Sequence, residues 1–297
     1  MFSRKWLRLV LAGLLPLAGA PAQAAPAAKA ARPAMWKLAD KDTTLYLFGT
    51  IHLLPEGQAW RTPAMEAALA GSQELVLEVA EVDDMMASAQ AMAKMGLSAN
   101  LPPIAERVPE AKRAALRAMM AESGYPEAVY DRLETWAASL SLLGVTFKRL
   151  GLDPSLGVEK QIDKPFRAAG KTVTGLETIE QQLGFLDTLP EAAQRAMLLS
   201  VIEDSAETRA QFRAMLDAWA TGDLAGIART FDDETQMSPE LKAVLMSKRN
   251  AAWADWLAKR MERPGTVFVA VGAGHLAGDE SVQAMLRKKG LKAKRVQ

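Results

Sequence analysis

Short runs rich in Val, Leu and Thr alternate unevenly along the chain with long stretches of helical periodicity. "MWKLAD" (35–40) and "TTLYLF" (43–48), separated by Lys41-Asp42, predict two strands joined by a tight turn. "ELVLEV" (74–79), "KTVTGL" (171–176), "TVFVAV" (266–271) and "LKAKRV" (291–296) predict four more. The uninterrupted apolar run "VFVAV" fits a strand covered on both faces. Pro63 opens a helix that reaches Gly71, and residues 84–150 and 178–262 read as helical. Within them Pro109 precedes "EAKRAALRAMMAESG", which closes on Gly124, and Thr178 with Gln181 forms a capping box. Met85, Met86, Met92, Met95, Met119 and Met120 lie in these helices and are expected to pack in a core, because Met forms helix well and fills gaps.

The predicted class is α/β: a small mixed or parallel central sheet built from the N-terminal third, a middle strand and the C-terminus, with a large helical insertion. Each half orders strand, Gly-x-x-His-Leu, then helix, which admits a pseudo-twofold arrangement. Ahead of this domain (35–297), residues 1–24 have the layout of an export signal. Arg4, Lys5 and Arg8 make a basic start, Leu9 to Ala20 is uncharged and apolar, and Ala22-Gln23-Ala24 is a cleavage pattern. The apolar stretch is shorter than the ~20 residues of a membrane span. The expectation is therefore a periplasmic or secreted protein without stable membrane insertion after cleavage, joined to its leader by a disordered Ala/Pro-rich segment, 25–34.

Composition narrows the rest. The net charge of +1 gives no electrostatic reason to expect nucleic acid as a partner. With no cysteine in the chain, stability rests on a core and not on disulfides.

The candidate chemistry lies in the only two histidines. They stand in one frame, Gly49-Thr-Ile-His52-Leu53 and Gly272-Ala-Gly-His275-Leu276, each just after a predicted strand. Ligands of open α/β sheets bind beyond the carboxyl ends of the strands. Glu78, ending "ELVLE", and Glu177, following "KTVTGL", fall at equivalent places. Glu78 alternates with Leu75, Leu77 and Val79 and so shares a face with Val76, in a strand otherwise apolar. A carboxylate buried there needs a partner, and Arg249-Asn250 on a predicted helix offers one. Imidazole nitrogens and carboxylate oxygens together are also ligands for divalent metals. Asp232-Asp233-Glu234 reads as a solvated acidic turn. "GAGHLAG" is out of frame for a dinucleotide fingerprint, and neither a G-x-S-x-G elbow nor a P-loop is present.

Taken together, "LYLFGTIHLLP", "ELVLEV", "GVEKQI", "GLETIEQQL", "LMSKRNAAWADWL" and "FVAVGAGHLAGDESV" resemble the TraB/PrgY/GumN family from about Met35 onward. The two Gly-x-x-His blocks are the most specific part of the likeness. That family includes the Tiki proteins, membrane-tethered metal-dependent proteases, and its fold is similar to that of erythromycin esterase and ChaN-like proteins. The resemblance implies that His52 and His275 belong to an active site, with Glu78 as metal ligand or catalytic carboxylate. Glu159, Glu177 and Arg249-Asn250 match other recurrent positions. No anchor is expected after the domain, unlike in Tiki proteins.

The expectation is an exported metal-dependent hydrolase, of peptidase type, acting on a peptide or protein. A divalent ion (Mn²⁺, Co²⁺ or Zn²⁺) would be held by His52, Glu78 and His275. Glu78 or Glu177 would be ligand or general base, and Arg249 an oxyanion stabiliser or a carboxylate's partner. Two alternatives stay open: a metal-free esterase-like hydrolase, and a non-catalytic periplasmic protein that sequesters a peptide or a haem-like ligand.

Overall fold

The computed structural model describes residues 31–80, 84–98, 100–203, 206–232 and 239–297. Residues 1–24, read as an export signal, residues 25–30 of the expected leader, and Asp233-Glu234, read as part of an acidic turn, lie outside these. Among the described residues eight strands form: β1 Met35–Ala39, β2 Thr43–Thr50, β3 Leu54–Pro55, β4 Glu74–Val79, β5 Leu152–Asp153, β6 Thr172–Glu177, β7 Gly265–Gly272 and β8 Lys294–Arg295. Six make the central sheet in the order β6-β4-β7-β2-β1-β8. The four successive strands β6, β4, β7 and β2 run parallel, while β1 is antiparallel to both its neighbours.

Alternation along these strands covers both faces. Phe48, Leu75, Leu77, Phe268 and Ala270 pack with Met65 and Leu69 of the helix Pro63–Gly71 and with Val158, Ile162 and Phe166 of the helix Val158–Ala168. Leu45, Leu47, Val76, Val267, Val269 and Val271 face the other way, onto Trp253, Ala254 and Leu257 of the helix Lys248–Arg260. At about 25 cal/mol per Å² of apolar surface, this two-sided burial is what holds the sheet together. A third cluster, with Leu116, Met119, Met120, Tyr130 and Leu142, is confined to the helical insertion and gives it a core of its own.

Several expectations are adjusted. "LKAKRV" pairs only at Lys294–Arg295, both exposed, since an edge strand rich in cations leaves its outer side to water. The "KTVTGL" strand runs one residue further and takes in Glu177. The β3–β5 ribbon is too short to show any alternation in the sequence. Met119 and Met120 are in the core, whereas Met86 is 70% exposed, because its helix, Met85–Met95, covers the domain from outside. Order also begins earlier than the Ala/Pro composition implies. Ala31 and Ala34 are buried and the Arg32 N–H donates to Ala220 O.

The central pair β2 and β7 carries the repeated frame, with Thr50 opposite Gly272. The flanks of that pair differ: β4 is parallel to β7, but β1 is antiparallel to β2. Among the described residues no helix is long and apolar enough to cross a membrane.

Candidate active site

Because β2, β7, β4 and β6 are parallel neighbours, their carboxyl ends gather on one edge of the sheet. His52 leaves β2 on an irregular loop, and His275 leaves β7 on the 3₁₀ turn Ala273–Leu276. Glu78 is the penultimate residue of β4 and Glu177 the last of β6. The four groups read from strand ends are thus brought together. Three of them border the place a Cβ on Gly272 would occupy, 3.1 Å from Glu78 Oε1, 3.6 Å from His275 Cδ2 and 3.8 Å from His52 Nε2. Only a residue without a side chain leaves that space open.

Each imidazole is held from behind. His52 Nδ1 lies 2.8 Å from Glu159 Oε1, and the same carboxylate oxygen accepts from Thr50 Oγ1. Glu159 is in the first turn of its helix, whose N-terminus is brought against the loop by Gly157. A Cβ there would come within 2.4 Å of His52 O, and Val158 N–H donates to Ile51 O. His275 Nδ1 is 2.5 Å from Asn250 Oδ1, while Asn250 Nδ2 donates to Glu280 O. That second bond fixes the amide's orientation, so His275 carries its proton on Nδ1. His52 turns Nε2 toward the shared space, whereas His275 faces it with Cδ2 and has Nε2 3.9 Å from Glu78 Oε1.

The carboxylates are gathered by one guanidinium. Arg249 Nη2 donates to Glu78 Oε2 at 2.7 Å and to Glu177 Oε2 at 2.8 Å, and Nε donates to Glu177 Oε1 at 2.9 Å. Nη1 reaches Leu245 O in the preceding π-helical turn, Ala243–Ser247, and approaches His275 Nε2 at 3.3 Å. Gln182 bridges Glu78 and Glu177, Trp253 Nε1 donates to Glu177, and Gly272 N–H donates to Glu78 Oε1 at 2.7 Å. The Trp253 ring packs on His275, centroids 4.3 Å apart.

These contacts set the charges. Burial works to raise the Glu78 pKa, but His275, His52, Arg249 and the Gly272 N–H outweigh it and pull the value down to about 2. Burial likewise opposes ionisation of Glu159, and His52 overrides it, holding the carboxyl below its ordinary range. His52 stands in the cleft with its side chain 66% exposed, and the Glu159 charge raises its pKa well above the usual 6.5. Water on the open side of the ring moderates that rise. His275 is the opposite case, since burial lowers it to about 4 and leaves it neutral at pH 7.

The cleft in front of His52 and Glu78 has a volume of about 350 Å³ and is walled by Leu77, Val79, Ile179, Gln182 and Leu183. Among the described residues no three His, Cys, Asp or Glu side chains already converge at metal-ligand geometry. The donor set nevertheless suits a cation. Both histidines have Nδ1 tied to an oxygen, the usual support of a metal-ligating imidazole, and His275 Nε2 lies 3.9 Å from Glu78 Oε1. Arg249 is the countervailing feature, because its charge lies against Glu78 and His275.

Of the residues read from sequence, His52, Glu78, Glu177, Arg249 and His275 all belong to one network, with Glu159 and Asn250 behind the two rings. Thr50, Gln182 and Trp253 went unread. Trp253 is signalled by its place on the stripe Arg249, Asn250, Trp253, Ala254, Leu257, all buried on one face of a helix that would otherwise be expected to bury only apolar groups.

A family model described as "TraB/PrgY/gumN family" matches residues 34–295. The chain is similar to the uncharacterized protein YbaP of Escherichia coli (strain K12), 29% identical over 201 residues, which are 64% of this chain and 71% of the relative. YbaP of Shigella flexneri matches with the same figures. An uncharacterized protein of Treponema pallidum (strain Nichols) is 24% identical over 54% of this chain and 52% of its own length. No solved structure matches.

Proposed function

The chain belongs to the TraB/PrgY/gumN family, and from its site we infer a hydrolase that uses a divalent cation held by His52, Glu78 and His275 to cleave peptide bonds. The observation that carries this reading is the paired support of the two rings, Glu159 behind His52 and Asn250 behind His275, which leaves His52 Nε2 at the Gly272 gap and His275 Nε2 3.9 Å from Glu78 Oε1. What a bound divalent ion supplies is a water acidified toward neutrality and a polarised carbonyl.

The residues do the remainder. Glu78 stays anionic at neutral pH and serves as ligand or proton acceptor. Binding a cation at His52 Nε2 displaces a proton, so affinity rises with pH. Arg249 keeps Glu78 and Glu177 in place and sets Nη1 beside His275 Nε2, from where its charge would favour a negative substrate oxygen bound next to that ring. The N-terminal basic, apolar, Ala-x-Ala layout supports export to the periplasm or the medium.

A second reading follows from Arg249 itself. A guanidinium beside Glu78 and His275 Nε2 disfavours a second cation, and a metal-free hydrolase would then use the imidazoles directly as bases. One experiment separates the two. Protein from Ala25 onward, purified without a histidine tag, is titrated with Mn²⁺, Co²⁺ and Zn²⁺ and assayed on quenched-fluorescent peptide mixtures with and without chelator, beside His52→Ala and His275→Ala. Near-stoichiometric binding lost in both variants, with chelator-sensitive cleavage, is the expected result. Cleavage indifferent to chelator selects the metal-free reading, and folded wild-type protein that cleaves nothing sinks both.

A further inference from the structure

On the far side of Arg249 lies a second cavity, of about 520 Å³, which none of the chemistry above uses. Its walls include Leu176, Phe185, Trp253 and Trp256, with the Arg249–Glu177 pair as its boundary toward His275 and Glu78. The Arg249 guanidinium lies 4.7 Å from the Trp253 ring centroid and 5.6 Å from that of Phe185. Trp253 turns one face to His275, so the cavity is one side chain away from the site.

The helix Ile179–Asp187 stands between this cavity and the His52 cleft. Ile179 and Leu183 line the cleft, and Gly184 and Phe185 line the second cavity. It carries four large apolar side chains, Ile179, Leu183, Phe185 and Leu186, yet none of its nine residues is buried. A helix of this composition ordinarily buries one stripe in a core. Here apolar groups are left half-covered on both flanks, as walls are before a ligand fills the spaces beside them. At the cavity mouth the Lys248 side chain is exposed, and among the described residues no acidic group pairs with it. Arg249 is paired with Glu177, so beside the neutral Gln181 and Thr188 the cavity presents apolar walls and the one cation of Lys248.

We propose that this cavity is the specificity pocket of the site, receiving a large apolar side chain of a peptide whose adjacent carboxylate faces Lys248. The inference rests on the peptidase reading, from which it takes the substrate class. Its occupant is a residue of the Phe or Leu type at the free C-terminus of a peptide. The aromatic walls supply dispersion and area burial, and Lys248 supplies the charge that selects the carboxylate.

The test is equilibrium binding of acetyl-Ala-Ala-Phe acid, its amide and acetyl-Ala-Ala-Ala acid, followed by tryptophan emission of the wild-type protein and of Trp256→Ala, Phe185→Ala and Lys248→Gln. Thermal melts establish that each variant is folded. The Phe acid is expected to bind about tenfold more tightly than the Ala acid and about threefold more tightly than the amide. Trp256→Ala and Phe185→Ala should each erode the Phe preference, and Lys248→Gln should erase only the acid–amide difference. Equal affinities of the Phe and Ala acids, or of acid and amide, overturn the proposal, as does a Phe preference untouched in both aromatic variants. Cleavage is read in parallel. Side-chain-selective binding without cleavage supports the pocket and removes the peptidase reading, whereas cleavage without side-chain preference removes the pocket alone.

Discussion

His52 and His275 leave neighbouring parallel strands in the same five-residue frame, and the protein treats them oppositely. The first stands on an open loop, two-thirds exposed, with a buried carboxylate at Nδ1 that favours its cation. The second is 5% exposed on a 3₁₀ turn, packed on Trp253, with a neutral amide at Nδ1. One Gly-x-x-His-Leu frame thus yields a charged, accessible imidazole and a neutral, enclosed one. What differs is the partner each receives from a distant segment: Glu159 for one and Asn250 with Arg249 for the other. The frame positions a ring at a strand end, and the tertiary neighbours set its protonation.

The comparison breaks most severely at Arg249. Its removal leaves Glu78 and Glu177 buried without their common cation, whereas Glu159→Gln on the His52 side keeps a hydrogen-bonding group facing an exposed ring. Arg249→Met should lower the unfolding free energy by about 3–5 kcal/mol, and Glu159→Gln by only about 1 kcal/mol. Urea titrations of both variants measure this. Equal losses would mean that the Arg249 network is not the firmer half of the site.

Next in size is the direct contrast of the rings. His275→Ala removes a packed ring and leaves the Asn250 amide oxygen without its donor, a loss of about 2–3 kcal/mol. His52→Ala removes a mostly exposed ring, and its cost of about 1–2 kcal/mol comes from Glu159, left buried with Thr50 as its side-chain donor. Both should abolish cation binding and peptide cleavage. If His52→Ala left function intact while His275→Ala lost only stability, the two frames would not share one site.

Opposite protonation also predicts two limbs in stability against pH. The folded pKa of His52 is raised, so its contribution is complete below about pH 6.5 and fades as pH climbs toward its folded value of about 10, solvent exposure narrowing that window. His275 is lowered from 6.5 to about 4, so across that interval the unfolded chain binds the extra proton and stability falls as pH falls. Glu78 and Glu159, lowered from 4.5, add to the acid limb. Urea midpoints from pH 4 to 10 should flatten on the alkaline side in His52→Gln, and between pH 4 and 6.5 in His275→Gln. The same limb flattening in both variants would contradict the assignment.

How much of this contrast the sequence discloses follows from what each signal depends on. The six strand segments and the capping box at Thr178 are local patterns, and they form close to where periodicity predicts. The need of Glu78 for a cation was legible because a carboxylate in an apolar strand poses a problem with few solutions, of which Arg249 is the one adopted. Glu159 was flagged only by likeness, since nothing around "GVEKQI" says that its helix N-terminus meets the loop after β2. That meeting depends on Gly157 fitting against the His52 backbone over more than a hundred residues of sequence separation. The unequal fates of the two histidines were hidden for the same reason, because the frames match and the partners lie elsewhere.

The smallest expected change in stability tests the shared space itself. Gly272 has φ −50° and ψ 134°, a conformation any residue adopts, so Gly272→Ala stores no backbone strain. Its methyl would touch Glu78 Oε1 at 3.1 Å, a contact that side chain relieves by a slight shift, and the lower entropy of the unfolded chain offsets part of the cost. The net change should stay within about 1 kcal/mol. Gly49→Ala, at the matching position of the other frame, meets the Ala273 backbone at 3.1 Å and should cost more, because a packed main chain yields less than a side chain. Function should rank the other way. The methyl on Gly272 occupies the gap between His52 Nε2, the His275 ring and Glu78, so calorimetric cation binding should drop at least about tenfold while the fold stands. If Gly272→Ala binds the cation as the wild type does, the three donors do not act on a common point, and the equivalence of the two frames ends at their sequence.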